Sequence, residues 1–219
     1  NDVAMLYLVV NYVRVEGLQI WADSTSSWRS VYGIRLYSSD GSADLRVHDN
    51  LIITPTIGTD SNTYGIQAYY TAAPVTIMNN IIYGTKIGTS TNNYGIAIVE
   101  SNYAHKIYNN TIVNTKTNGL LMSGASASAI LKNNLFYDTV SPVSGTVGNG
   151  SDYNATDNST LGYTVTGGGN THDVTSTALT FISPGSPNYD YHLGPVNTGV
   201  IDKGVTISTY WSDDFDGQT

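Results

Sequence analysis

The chain of 219 residues has no cysteine, so neither a disulfide nor a thiolate metal site is available to it. It also has little charge. Nine Lys and Arg stand against seventeen Asp and Glu, a net charge of −8, and no segment is basic. Nucleic-acid phosphates need a Lys/Arg footprint, so that class of partner is excluded. No apolar run reaches the ~18 to 20 residues of a membrane span. The most apolar stretch, Met5 to Val10, is only strand-sized. Long helical periodicity is missing as well. No secretory leader is visible, and the chain opens inside what reads as a strand, as a mature or trimmed fragment would.

Asn, Thr, Ser, Gly and Tyr are abundant. An acidic, cysteine-free β chain of this composition is associated with extracellular or cell-surface proteins of bacteria and archaea. The residues are also ordered. Val47-His48-Asp49-Asn50-Leu51-Ile52, Ile77-Met78-Asn79-Asn80-Ile81-Ile82, Ile107-Tyr108-Asn109-Asn110-Thr111-Ile112 and Leu131-Lys132-Asn133-Asn134-Leu135-Phe136 are versions of one segment, spaced 30, 30 and 24 residues apart. A second mark keeps step: Tyr32-Gly33-Ile34, Tyr64-Gly65-Ile66, Tyr94-Gly95-Ile96 and Asn118-Gly119-Leu120, with gaps of 32, 30 and 24. Two marks of nearly equal period describe an array of stacked units.

Each unit holds three short β-like runs. Alternation in the first run places Ile34, Leu36, Ile66, Ala68, Ile96, Ile98, Leu120 and Met122 inside. The run before the Asn pair places Val47, Ile77, Ile107 and Leu131 inside, and the run after it Ile52, Ile82, Ile112 and Phe136. Three runs per unit without a helix predict an all-β fold, a single parallel β-helix of five or six coils. Each coil buries its apolar face only against its neighbours. Val13 to Ile20 reads as an earlier coil, with Gly17-Leu18 in place of the Asn pair. Asn50, Asn80, Asn110 and Asn134 are expected to form an internal ladder, since identical amides repeat every ~4.8 Å in such a stack. Residues 1–140 read as the coils. Residues 141–219 read as a loop-rich last coil and C-terminal cap of the same domain, with Ser141 to Gly169 expected as loops.

These motifs, over residues 13 to 138, resemble the right-handed parallel β-helix superfamily with the pectate-lyase-like fold. In the tail, Asn188-Tyr189-Asp190-Tyr191-His192-Leu193, Gly199-Val200-Ile201-Asp202-Lys203-Gly204 and Asp213-Asp214-Phe215-Asp216-Gly217 resemble the C-terminal end of secreted bacterial β-helix repeat proteins. Pro195-Val196-Asn197-Thr198 departs from the Ser-Pro-Ala such tails carry. The resemblance implies the fold and an extracellular setting. It leaves function open among polysaccharide lyases and hydrolases, tailspikes and adhesins.

In such folds the groove on the first-strand sheet is the usual active face. Its outward columns read Arg35, Gln67, Ala97, Leu121 and Tyr37, Tyr69, Val99, Ser123, with Asp40, Tyr70 and Glu100 at the loop ends. The carboxylate cluster of a calcium-dependent lyase or of a hydrolase is missing from them. Arg35, Tyr37, Gln67, Tyr69, Tyr70 and Glu100 instead suit a polysaccharide or cell-surface glycan, with aromatic rings against sugar rings and Arg and Gln on hydroxyls or a carboxylate. The apolar Ala97, Val99 and Leu121 are expected to be exposed beside them, open to a covering loop or to another protein. The end coils are a second place for self-association.

The second sheet offers Arg46, Thr76 and Lys106, and beside them His48, Met78, Tyr108 and Lys132, with His105 near. A base and a cation for β-elimination would come from Lys106, Arg46 or Arg35. No cofactor is required. Asp214 and Asp216 are the one faint calcium candidate. Asn109, Asn149, Asn154 and Asn158 head Asn-x-Ser/Thr triplets. The reading that results is an extracellular module that binds polysaccharide without robust catalysis. The alternatives are a structural or adhesive filament subunit and a polysaccharide lyase.

Overall fold

A computed structural model describes residues 2–22, 30–54, 62–84, 92–101, 103–124, 129–183, 190–194, 199–200, 203–205 and 207. The strands follow one another in triplets. The first coil holds β1 (Val3–Val9), β2 (Tyr12–Glu16) and β3 (Gln19–Trp21). The second holds β4 (Val31–Ser38), β5 (Asp44–His48) and β6 (Leu51–Ile53), and the third β7 (Thr63–Thr71), β8 (Val75–Met78) and β9 (Ile81–Tyr83). β10 (Asn93–Val99), β11 (Lys106–Tyr108) and β12 (Thr111–Val113) make the fourth, and β13 (Asn118–Ser123), β14 (Ile130–Lys132) and β15 (Leu135–Tyr137) the fifth. β16 (Ser141–Val147), β17 (Ala155–Thr156) and β18 (Tyr163–Val165) carry the stack further, and β19 (Phe181–Ser183) and β20 (Asp190–Leu193) form an antiparallel pair.

Equivalent strands lie on one another in three parallel sheets. The first runs β1-β4-β7-β10-β13-β16-β18, the second β2-β5-β8-β11-β14 and the third β3-β6-β9-β12-β15-β17. Register aligns Ile34, Ile66, Ile96, Leu120 and Val143 in one column of the first sheet. It aligns Val15, Val47, Ile77, Ile107 and Leu131 in the second, and Ile20, Ile52, Ile82, Ile112 and Phe136 in the third. Apart from Ile20 these are buried and form one continuous core. At about 25 cal/mol per Å² of apolar surface, such columns are the main stabilising term.

The glycine of the second mark has a steric cause. A Cβ on Gly33 would lie 2.6 Å from both the Gly65 carbonyl oxygen and a methyl of Ile52, and Gly65 stands in the same relation to Gly95 and Ile82. Only a residue without a side chain lets the first and third sheets meet at that corner.

The Asn ladder is present and is longer than the sequence reading makes it. Asn50 Nδ2 donates to Asn80 Oδ1 at 2.9 Å, Asn80 to Asn110 and Asn110 to Asn134 at 3.0 Å. Asn134 then donates to Asn154 at 2.9 Å, a fifth rung. Each amide nitrogen also lies against a carbonyl of the coil before it, and those of Asn50, Asn80, Asn110 and Asn154 against one of their own turn as well, as Asn80 does with Val47 and Met78. Each Oδ1 takes the backbone N–H of the rung before it, as Asn80 Oδ1 does from Asn50. The left-handed residue of each turn is not the rung but its predecessor: Asp49, Asn79, Asn109, Asn133 and Tyr153 all have φ between 53° and 63°. Gly17 fills that place in the first coil at φ 67°, and Leu18 N–H caps the ladder on Asn50 Oδ1.

Ser141 to Gly169, expected as loops, continues the helix instead. β16 pairs in parallel with β13, β18 with β16 and β17 with β15, and Lys132 bridges Asp152. The segment therefore stacks below Leu121 rather than folding over it, since Leu121 pairs with Ser144. Farther on, Phe181 and Tyr191 of the antiparallel pair pack on Tyr137 and Tyr83 of the third sheet at ring separations of 5.0 and 5.5 Å. Asp214 and Asp216 lie outside the described residues.

Candidate functional site

The outer face of the first sheet is where the most unusual chemistry gathers. The Tyr of the Tyr-Gly-Ile mark does more than keep period. Tyr32, Tyr64 and Tyr94 point outward and stack along the solenoid, with centroids 4.9 and 5.3 Å apart. Burial, together with the neighbouring phenols, pushes the Tyr64 hydroxyl up to about 12. Beside this stack Arg35 lies over three rings, at 4.6 Å from Tyr32, 5.0 Å from Tyr69 and 5.5 Å from Tyr7. Each such contact contributes about 0.5 to 2 kcal/mol, depending on exposure. Arg35 Nη1 also pairs with Asp2 Oδ2 at 3.1 Å.

Register explains the grouping. Tyr7, Arg35, Gln67, Ala97 and Leu121 are successive partners down one outward column. Tyr69 stands at the end of β7, two residues from Gln67, and meets Tyr70 edge-on at 4.5 Å. Tyr70 has φ 48°, and Glu100, one coil on, has φ 53°. Both lie exposed at the rim, where the charges of Tyr69 and Glu100 hold the Tyr70 hydroxyl up. Tyr37 is half-buried on the same strand as Arg35. All six residues expected in the patch thus lie on one face, but Gln67 is buried under it. Two polar atoms there are buried without a hydrogen-bond partner among the described contacts, Arg35 Nε and Gln67 Oε1. Native proteins keep such atoms rarely, because each costs about 1 to 3 kcal/mol.

The expected apolar surface beside the patch is not there. Ala97 is fully buried and Val99 and Leu121 are half-buried. A small side chain between Gln67 and Leu121 in its column is covered by larger neighbours. Missed altogether were Asp2, Tyr7 and the three stacked tyrosines. The recurrence of Tyr before Gly at positions 32, 64 and 94 carried the signal for the stack.

The second sheet places Arg46, Thr76 and Lys106 in one column, as expected. They line a shallow groove with Ala43, Asp44, Pro74 and Met78, and Arg46 is tied to Asp44 at 2.7 Å. Next to it His48, Met78 and Tyr108 are buried, while Lys132 is half-buried. His48 Nδ1 faces Asp49 at 2.7 Å and Nε2 faces Glu16 at 3.1 Å. His105 is buried in a polar seam: Nδ1 accepts from the Val75 N–H at 3.1 Å, and Nε2 meets Ser101 Oγ at 2.9 Å. Burial brings its pKa down to about 4. Asn154 is a buried rung and no free glycan acceptor. At the far end His172 Nδ1 holds Asp152 at 2.7 Å and stacks on Tyr153. Desolvation raises the Asp152 carboxyl, but the His172 bonds outweigh it and hold it low.

Three stacked parallel sheets around an Asn ladder define the chain as a right-handed parallel β-helix protein. Residues 10–173 match the family model described as "Periplasmic copper-binding protein (NosD)". The chain belongs to that family. No curated protein and no solved structure matches it.

Proposed function

We propose that this β-helix is a periplasmic or extracellular module that binds a glycan on the outer face of its first sheet, around Arg35, Tyr69 and Tyr70. The observation that carries this reading is the guanidinium fixed among three tyrosine rings next to an unpartnered, buried Gln67 Oε1. Aromatic faces at the rim stack on pyranose rings, while Arg and Gln supply hydrogen bonds to hydroxyls. The family's description and the composition support the setting outside the cytoplasm.

A copper centre, which the family's description brings to mind, is less well served by these residues. Copper favours thiolate, thioether and imidazole ligands. The chain has no Cys, four His and three Met. His48 turns its two nitrogens to carboxylates on opposite sides, and His105 engages both of its own within the protein. His172 and His192 each commit Nδ1 to a nearby Asp. No three His, Cys, Asp or Glu converge on one point among the described residues. Among the described residues the donor set does not fit a resident copper ion.

The test is a glycan array read with the native chain and with Tyr69→Ala. Removing one stacking ring should weaken binding about 5- to 150-fold, the worth of ~1 to 3 kcal/mol. Equal binding by the variant, or binding by neither protein, would overturn the assignment.

A further inference from the structure

We infer that Arg35 and the Tyr32 hydroxyl form a subsite for a ligand carboxylate, that Asp2 occupies it in the free protein, and that the glycan recognised here is built from uronic-acid sugars. This rests on the glycan reading above and deepens it.

The subsite is already shaped around a carboxylate. Asp2 Oδ2 accepts from Arg35 Nη1 at 3.1 Å and from the Tyr32 hydroxyl at 3.3 Å. A charged donor and a phenol on one oxygen are a strong arrangement for a carboxylate and a poor one for a neutral hydroxyl. The two partners differ in how firmly they are held. The Arg35 side chain is 19% exposed and boxed by Tyr7, Tyr32 and Tyr69, whereas the Asp2 side chain is 51% exposed. Asp2 is therefore the partner that an incoming anion displaces, and the guanidinium stays in place when it leaves. Pre-positioning of this kind spares a ligand the cost of ordering the site.

Asp2 also fills the site incompletely. Arg35 Nε and Gln67 Oε1 stay unpaired beside it, one a donor and one an acceptor, on register partners in adjacent coils. An aspartate side chain brings only its carboxylate. A uronic-acid sugar brings a carboxylate and ring hydroxyls together, and hydroxyls can both accept from Nε and donate to Oε1. Charge points the same way. The chain carries −8 overall, and Arg35 is the one Lys or Arg on β1, β4, β7 and β10. An acidic sugar held on this face is anchored at Arg35, with a neighbouring sugar on Tyr69 and Tyr70.

Isothermal titration with a galacturonic-acid oligosaccharide and with its methyl ester decides the matter, using the native chain, Asp2→Asn and Arg35→Gln, each checked for an intact melting transition. Asp2→Asn should bind the acid roughly two- to fivefold more tightly, the worth of an exposed ion pair, and the ester unchanged. Arg35→Gln should lose the preference for acid over ester. If the acid and ester bind but Asp2→Asn gives no tightening, or Arg35→Gln keeps the preference, the carboxylate subsite is wrong and the glycan reading stands. If none of the proteins binds either oligosaccharide, the subsite is wrong; the array with Tyr69→Ala then decides separately whether other glycans bind this face.

Discussion

The second to fifth coils and the segment that follows them share one backbone path but are written differently. Between Val31 and Asp138 each turn carries isoleucine-rich columns, a Gly at the corner and an Asn at the rung. From Ser141 to Val174 the sheets continue in parallel, yet the coil shrinks to 20 residues between Asn134 and Asn154 and the Tyr-Gly-Ile mark is gone. What persists is the rung. A buried turn must satisfy its backbone whatever fills the rest of the coil, so the amide persists where the isoleucine columns give way to Val143, Val147, Leu161 and Val165. At its end the ladder closes on a charge: Asn154 N–H donates to Asp173 Oδ1 at 2.7 Å, and Asp173 Oδ2 takes the Tyr163 hydroxyl at 2.5 Å. Burial and that carboxylate push the Tyr163 phenol far up.

The contrast is broken most sharply by replacing rungs. Asn80→Leu removes the amide donor to the Val47 carbonyl, leaves the Met78 carbonyl with the Asp49 N–H, and interrupts the column on both sides. A loss of roughly 3 to 5 kcal/mol is expected, read as a lowered denaturation midpoint in urea. Asn154→Leu should cost less, about 1 to 2 kcal/mol, because only one neighbouring rung is an Asn and Asp173 can turn to water. Equal losses at the two positions would mean the terminal rung is as structural as the central one. Both variants should keep any glycan affinity, since the ladder is interior.

Acid should find the coils before the tail. The His105 pKa is held down at about 4 against a reference near 6.5, so below pH 6.5 the unfolded chain takes up a proton that the folded chain refuses. The stability from His105 is complete above pH 6.5 and is lost as pH falls through about 4, on the order of 3 kcal/mol. Melting of His105→Gln followed from pH 7 to pH 4 should show a shallower decline than the native chain.

The most local expected effect lies in the tail. Tyr191→Ala removes the ring that stacks on Tyr83 and meets Phe181 edge-on. A loss of about 1 to 3 kcal/mol should appear as earlier proteolytic cleavage after residue 175, with the coils left intact. Cleavage that begins in the coils would show that the tail clamps them.

The outer face of the first sheet was partly legible. Period two along β4 and β7 sends Arg35, Tyr37, Gln67 and Tyr69 to one side, and that needs only alternation. Alternation does not say how deep an outward side chain lies. Gln67, Ala97, His48 and Met78 all face out of their sheets and are nevertheless buried, because larger neighbours close over them. Asp2 could not be placed at all, since nothing in a sequence of this kind says which residue of a leading strand will meet an arginine some thirty positions later.

The residue pattern by itself determined the solenoid, its three runs per coil, the inward columns and four rungs of the ladder. Each follows from a short-range rule: alternation within a strand, and repetition at the period of the coil. Only the tertiary structure decided the fifth rung, the tyrosine box around Arg35, the unpaired atoms beside it and the packing of Phe181 and Tyr191 on the third sheet. Those depend on which coil lies on which and on what side-chain volume covers a given place. Such distances are set when the stack closes, and no local rule encodes them.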